Sequence, residues 1–139
     1  MIEKEASILI VEDDEVDIMA IRRALKQTNT TNSIYVAKDG IEALEKLRSG
    51  EVPFPYIVLM DLNMPRMNGI DCMKEIRADK SLRQTVIFAL STSKDEKDKI
   101  KAYDCNVAGY IFKSDIGDEF VNAMQMLHHY LRVVELPNE

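Results

Sequence analysis

The chain has 139 residues, of which 46% are hydrophobic, so one domain with its own core is expected and intrinsic disorder is excluded. The net charge is -6, and no dense cluster of lysine and arginine is present, which disfavours direct binding of DNA or RNA. Apolar runs reach about five residues, far short of the roughly 20 that span a bilayer, and the charged N-terminus lacks a signal region. We therefore expect a cytoplasmic protein without membrane attachment.

The hydrophobic pattern predicts a strand followed by a helix, five times in succession. The first repeat is a strand over about 7–12 and a helix capped by Asp14. The second is a strand over about 33–37 and a helix that follows Gly40 and ends before Gly50. Apolar residues recur in these helices at spacings of three and four: Ile18, Ile21 and Leu25, then Ile41, Leu44 and Leu47.

The remaining repeats have the same form. Strands are predicted over about 56–61, 86–90 and 109–112, and the helix between the last two covers about 94–103. The helices that follow the first and last of these strands carry apolar stripes: Ile70, Met73 and Ile76, then Phe120, Met124, Leu127 and Leu131. Cys72 and Cys105 are too few for a disulfide scaffold and lack the spacing of a metal site, so free thiols are expected.

The predicted strands are continuously apolar, which is typical of a parallel sheet covered by helices on both faces. Strand–helix alternation with short loops predicts a doubly wound α/β domain. No flexible linker divides the chain, so a single domain over 1–139 is expected, with a core over about 7–131 and a short tail over 132–139.

Polar residues follow four of the predicted strands. They are Glu12 and Asp13, then Asp61, Ser91 and Lys113. The carboxyl ends of parallel strands meet at one edge of a doubly wound sheet, where ligands bind. The sequence therefore predicts one site that contains three carboxylates, a hydroxyl and an ammonium group.

Such an acidic cluster requires a compensating interaction. Two carboxylates 4 Å apart repel each other by about 4 kcal/mol at an effective dielectric constant of 20. A bound cation, protonation of one acid, or the charge of Lys113 would relieve this repulsion. Hard oxygen ligands suit Mg²⁺ or Mn²⁺, and a carboxylate is a competent nucleophile for forming an aspartyl phosphate.

These residues resemble the receiver domain of two-component response regulators over roughly 7–131. The resemblance is carried by ILIVEDD at 8–14, DGIEAL at 39–44, MDLNMPRMNG at 60–69, LST at 90–92 and GYIFK at 109–113. It implies a flavodoxin-like fold with five parallel strands in the order 2-1-3-4-5 and five helices. It also implies that Asp61 is the phosphoacceptor and that Glu12, Asp13, Asp61 and the backbone carbonyl of Asn63 hold Mg²⁺ or Mn²⁺.

The same resemblance gives roles to the residues on the later strands. Ser91 and Lys113 would bind the phosphoryl group, and Tyr110 would be the aromatic that moves inward when Ser91 turns toward the phosphate. Asn63 and Ser93 occupy the positions that tune dephosphorylation. Such a protein accepts phosphate and catalyses its own phosphorylation and dephosphorylation, and it is not an enzyme acting on a separate substrate.

One position departs from the family pattern. Response regulators usually have proline, often preceded by a cis bond, after the lysine of the fifth strand, whereas Ser114 follows Lys113 here. A cis bond to serine costs about 3–4 kcal/mol, so this loop is expected to be shaped differently. The chain is similar to single-domain regulators that partner bacterial phytochrome-type kinases. The similarity lies in the Lys113-Ser114 pair, the loop at 91–93 and the tail at 133–137.

The expected function is a stand-alone phosphorylation switch. A sensor histidine kinase would donate the phosphoryl group, and the signal would leave through the fourth helix, fifth strand and fifth helix to a downstream protein. Transfer onward to a histidine phosphotransfer protein in a phosphorelay is an alternative. Val133, Val134 and Leu136 lie beyond the expected core, so homodimerisation is a further hypothesis.

Three other functions fit the residues less well. A haloacid-dehalogenase-like phosphohydrolase needs a proton donor two residues after its aspartate nucleophile, and Asn63 cannot serve as one. A flavodoxin-like flavin binder needs hydroxyls and amides in its first loop, where this chain has acids at 12–14. A phosphorylation-independent pseudo-receiver would lack a site residue, and none is missing here.

Overall fold

A computed structural model describes residues 5–113 and 118–137, in which strands and helices alternate along the chain. The strands are β1 (Ser7–Val11), β2 (Ile34–Ala37), β3 (Tyr56–Asp61), β4 (Val86–Ser91) and β5 (Gly109–Phe112). The helices are α1 (Glu15–Gln27), α2 (Gly40–Ser49), α3 (Gly69–Ala78), α4 (Glu96–Asp104) and α5 (Asp118–Val133).

The five strands form one parallel sheet in the order β2-β1-β3-β4-β5. The chain winds from β1 outward to β2 and then crosses to β3 on the other side of β1, so the strand order reverses between β1 and β3. In such sheets the crevice at the carboxyl ends of the two strands beside the reversal is the usual ligand site. The predicted fold class and strand order are confirmed.

Two apolar layers cover the sheet, one on each face. Successive side chains of a strand point to opposite faces, so a strand buried on both sides must be apolar at every position. In β1, Leu9 and Val11 pack with residues of α2 and α3, while Ile8 and Ile10 pack with residues of α1 and α5. This explains the uninterrupted apolar strands of the sequence.

Asparagine and aspartate side chains begin the helices at the site end of the sheet. Asp14, Asp39 and Asn68 accept hydrogen bonds from the first free backbone N–H groups of α1, α2 and α3. Gly50 ends α2 with a φ of 79°, a left-handed conformation that glycine adopts without strain. These short caps hold each strand–helix connection close to the carboxyl ends of the strands.

Several predicted boundaries move by one or two residues, most clearly in the fourth helix. We expected a helix over 94–103, whereas α4 begins at Glu96 because Asp95 accepts a hydrogen bond from the backbone N–H of Lys97 as the helix cap. The N–H of Asp95 in turn donates to the Ser93 hydroxyl. This pair of local hydrogen bonds keeps the preceding residues out of the helix.

Cys72 and Cys105 are buried free thiols, as expected. In the tail, Leu136 packs against the apolar layer formed with α1 and α5. The loop at Ser114, which we expected to be shaped differently from that of the family, lies outside the described residues. Within the part of the chain that the structure describes, no helix has the length and apolar character needed to cross a membrane.

Candidate functional site

Three carboxylates meet where β1 and β3 end, beside the reversal of strand order. Glu12 continues the ladder by donating its backbone N–H to the carbonyl of Ala37, and Asp61 is the last residue of β3. Oxygen atoms of Glu12, Asp13 and Asp61 all lie within 4.8 Å of one another. Glu12 and Asp61 are buried, with 1% and 5% exposure, while Asp13 is exposed. The cluster therefore faces solvent on one side only.

Lys113 brings a positive charge into this cluster from the end of β5. Its backbone N–H donates to the Ser91 carbonyl over 2.7 Å, which fixes the residue beside the end of β4. Its Nζ lies 2.7 Å from Glu12 Oε2, 2.8 Å from Asp17 Oδ2 and 3.6 Å from Asp61 Oδ1. The ammonium group thus donates a hydrogen bond to Glu12, forms a close ion pair with Asp17, and stands just beyond hydrogen-bond distance from Asp61.

Burial and charge shift the pKa values of these groups. Burial raises the pKa of Glu12 to about 7 and the charge of Asp61 adds to this, although Lys113 acts in the opposite direction. Burial also raises the pKa of Asp61, against the opposing charge of Lys113. Burial lowers the pKa of Lys113, but its bonds to Asp17 and Glu12 and the charge of Asp61 raise it overall. Lys113 is therefore charged at neutral pH.

The loop after β3 wraps around Asp61. The backbone N–H of Asn63 lies 3.4 Å from Asp61 Oδ1, and the N–H of Gly69 donates to the carbonyl of Leu62 over 3.1 Å. Leu62 also donates its N–H to the Leu90 carbonyl on the neighbouring strand. These bonds hold the loop against the sheet, with the Asn63 side chain exposed. The backbone near Asn63 is consequently close to the carboxylate of Asp61.

A hydrogen-bonded chain leads from Ser91 away from the cluster toward α4 and β5. Ser91 is fully buried, and its Oγ accepts a hydrogen bond from the Ser93 backbone N–H over 3.0 Å. The Ser93 hydroxyl donates to Asp98 of α4 over 2.6 Å. The Tyr110 hydroxyl donates to the Ser93 carbonyl over 2.9 Å. A movement of Ser91 would therefore disturb the contacts of both α4 and β5.

The structure brings the predicted site residues to one edge of the sheet. Glu12, Asp13, Asp61 and Lys113 form the cluster itself, and Ser91 lies at the end of the adjacent strand. The remaining predicted residues are linked to these by hydrogen bonds: Asn63 to Asp61, Ser93 to Ser91, and Tyr110 to Ser93.

Sequence reasoning missed Asp17, which contacts Lys113 from α1. The available signal was its position in the first turn of α1, three residues after the helix cap Asp14 and close to the acids that follow β1.

Comparison with known proteins agrees with this geometry. Residues 8–125 match the family described as the response regulator receiver domain. The chain belongs to the receiver-domain family of response regulators. Response regulator Rcp1 of Synechocystis sp. is 31% identical over 135 residues, which cover 94% of this chain and 92% of that protein.

Solved structures of response regulators superpose on most of the chain. The phosphorylated cyanobacterial phytochrome response regulator RcpA has a TM-score of 0.85 at 28% identity and covers 96% of this chain and 99% of its own. The Mn²⁺-bound form of Rcp1 has a TM-score of 0.83 at 30% identity, with 95% and 99% covered. This receiver domain is thus similar to phytochrome response regulators, and it is a response regulator of two-component signalling.

Proposed function

We propose that Asp61 accepts a phosphoryl group from the phosphohistidine of a sensor kinase. The observation that carries this proposal is the position of Asp61, a buried carboxylate at the switch point that lies close to two further acids and 3.6 Å from Lys113. An Asp61 oxygen would form a bond to phosphorus as the phosphorus–nitrogen bond breaks, and the departing imidazole would take up a proton from water. The product is an aspartyl phosphate.

The donor set suits a hard divalent cation. Glu12, Asp13, Asp61 and the backbone carbonyl of Asn63 would hold Mg²⁺ or Mn²⁺, ions that prefer oxygen ligands. When bound, such an ion neutralises charge that develops on the phosphoryl oxygens. The Mn²⁺-bound form of the similar Rcp1 supports this choice of ion.

Ser91 and Lys113 would bind the transferred phosphoryl group. The ammonium group of Lys113 is charged and lies 3.6 Å from Asp61 Oδ1, so an oxygen added there comes within its reach. Ser91 would turn its hydroxyl toward the phosphate and give up the hydrogen bond from the Ser93 N–H. These two residues therefore sense the phosphate rather than supply the nucleophile.

The output follows from the hydrogen bonds that Ser91 shares with its neighbours. Turning Ser91 would break its hydrogen bond with Ser93. The hydrogen bonds of Ser93 with Asp98 and Tyr110 would then be released. Tyr110 would then move inward and shift the surface formed by α4, β5 and α5. This is a change in population between two arrangements, biased by the new phosphate contacts. Asn63 and Ser93 would tune how fast water removes the phosphate.

The partners are proposed from the similarity to phytochrome response regulators. We expect a sensor histidine kinase, of phytochrome type, as the donor, and a downstream protein or histidine phosphotransfer protein as the reader of the α4–β5–α5 surface. The chain would work in the cytoplasm as a single receiver domain, without contact to nucleic acid or membrane. It would act as a self-modifying phosphoacceptor and not as an enzyme with a separate substrate.

A direct test is incubation of the protein with acetyl phosphate and Mg²⁺, followed by intact mass spectrometry. We expect one added phosphate on the native protein and none on Asp61→Asn. Asp71→Asn, which changes an exposed aspartate of α3, is the matched control and should gain the phosphate. An unmodified native protein, under conditions that phosphorylate another receiver domain, would refute the proposal.

The surface of α5 and the tail also fits a homodimer. Val133 is 79% exposed and Val134 is 37% exposed. Analytical ultracentrifugation of the protein with and without beryllofluoride, a phosphate mimic, would test this, with Val133→Asp as the disrupting variant. A monomer under every condition at high concentration would exclude the dimer.

A further inference from the structure

Asp17 of α1 forms an ion pair with the ammonium group of Lys113. Asp17 lies in the first turn of α1, and its Oδ2 is 2.8 Å from Lys113 Nζ. Its side chain is 21% exposed, while that of Lys113 is 7% exposed, so solvent only partly screens this ion pair. The contact is nearly as short as the one between Lys113 and Glu12, at 2.7 Å.

Lys113 is closer to Glu12 and Asp17 than to Asp61. The ammonium group donates a hydrogen bond to Glu12, and the Asp17 carboxylate attracts it as an ion pair at 2.8 Å. Asp61, at 3.6 Å, is the neighbour that Lys113 does not reach with a short bond. The Asp61 oxygens therefore remain free of a direct lysine hydrogen bond, although the two charges lie close together.

We propose that Asp17 is a positioning residue that keeps Lys113 on the α1 side of the cluster and so leaves Asp61 available to a divalent cation. Without the Asp17 carboxylate, the ammonium group would be shared by Glu12 and Asp61 alone. It would then move toward Asp61 and compete with a metal ion for the same oxygens. The inference rests on the proposed metal site, and it assigns a function to an acid outside the set of ligands.

The test measures Mg²⁺ and Mn²⁺ binding by isothermal titration calorimetry, without any phosphoryl donor. We expect Asp17→Asn to weaken binding about fivefold. Asp14→Asn removes a charge of the same sign nearby and keeps a good helix cap, so it should change binding less than twofold. Asp17→Glu restores the charge and should bring the affinity back to within about twofold of the native value.

A double variant separates positioning from a simple loss of charge. In a Lys113→Met background no ammonium group remains to be held, so adding Asp17→Asn should weaken metal binding less than twofold. Circular dichroism establishes whether each variant folds. If the Lys113→Met variants do not fold, the comparison of Asp17→Asn with Asp14→Asn decides the question.

Two results would overturn the inference and leave the metal site intact. One is an equal loss in Asp17→Asn and Asp14→Asn, and the other is an undiminished Asp17→Asn effect in the Lys113→Met background. A native protein that binds neither ion would instead refute the metal site, whatever the variants do.

Discussion

Glu12 is the most enclosed acid of the cluster, and its protonation couples the site to pH. Its exposure is 1%, and burial raises its pKa from 4.5 to about 7. Between these two values the folded protein binds more protons than the unfolded chain. The free energy of unfolding contributed by Glu12 is therefore fully present below pH 4.5 and is lost as pH rises through about 7.

We predict that the metal-free protein loses stability across this pH window. From about pH 5 to about pH 7.5 its free energy of unfolding should fall by roughly 1–2 kcal/mol because of Glu12, after allowance for solvent screening. Urea denaturation in the presence of EDTA measures the change. Glu12→Gln cannot ionise at this position and should show a correspondingly smaller loss, so identical pH profiles for the two proteins would contradict the prediction.

At the scale of the elements, Gly69 sets how closely α3 approaches the end of β3. A Cβ atom at this position would lie 2.3 Å from the Asp61 carbonyl oxygen and 2.9 Å from the Leu62 Cα, both backbone atoms. Neither atom can move without displacing the strand end that carries Asp61. The close approach of this helix is thus part of how the site is built.

Gly69→Ala should therefore cost about 2–4 kcal/mol of stability and weaken Mg²⁺ binding as well. Gly50→Ala is the matched control, because it has a positive φ of 79° but no atom within 4 Å of the added Cβ. It should cost about 1 kcal/mol through backbone strain alone and leave metal binding unchanged. Equal losses in both variants, by urea denaturation and calorimetry, would show that the contact with Asp61 is unimportant.

Arg77 ties α3 to the two loops that lead into β4 and β5. Its guanidinium group donates to the carbonyls of Cys105 and Asn106 at one side and of Arg83 and Thr85 at the other, over 2.7–3.0 Å. Burial lowers the pKa of Arg77, and the group still carries its charge at neutral pH. One side chain thereby satisfies four backbone acceptors far from the cluster.

Replacing Arg77 should leave four backbone carbonyls without the side chain that donates to them. We expect Arg77→Met to lower the free energy of unfolding by about 2–3 kcal/mol because the carbonyls lose their donors. Arg48→Met removes an exposed arginine that pairs with Asp79 and should change stability by less than about 1 kcal/mol. Urea denaturation of both variants measures the change in stability. Phosphorylation by acetyl phosphate should be unchanged in both, which shows that the effect is structural. A smaller loss of stability in Arg77→Met than in Arg48→Met would contradict the prediction.

At the scale of the whole molecule, the sequence predicted the sheet and the polar edge because both depend on short-range patterns. Apolar runs such as 57–60 and the acids that follow them specify the strands and their ends. The prediction for the start of α4 was wrong, since the start depends on the hydrogen bonds of Asp95 with Ser93 and Lys97, which hydrophobic spacing does not record. The contact of Asp17 with Lys113 escaped prediction because it joins α1 to the end of β5, and pairing of long side chains follows from three-dimensional packing.

The proposed metal site would link metal binding to the stability of the entire domain. Three carboxylates within 4.8 Å of one another repel each other in the folded chain more than in the unfolded one, so the cluster destabilises the metal-free fold. A divalent cation that binds only the folded state stabilises it by mass action, by about 1.4 kcal/mol at ten times its dissociation constant. The acids that would bind the metal therefore lower the stability of the fold when the metal is absent.

Asp13→Asn should separate the two effects, because Asp13 is the exposed member of the cluster. Without metal the variant should be more stable than the native protein by about 1 kcal/mol, since one repelling charge is gone. With Mg²⁺ at ten times the native dissociation constant, the melting temperature of the native protein should rise by about 4 °C and that of the variant much less. Calorimetric melting at constant ionic strength, set with KCl, measures both. A variant that is less stable without metal, or gains as much from Mg²⁺ as the native protein, would show that Asp13 is a structural acid and not a ligand.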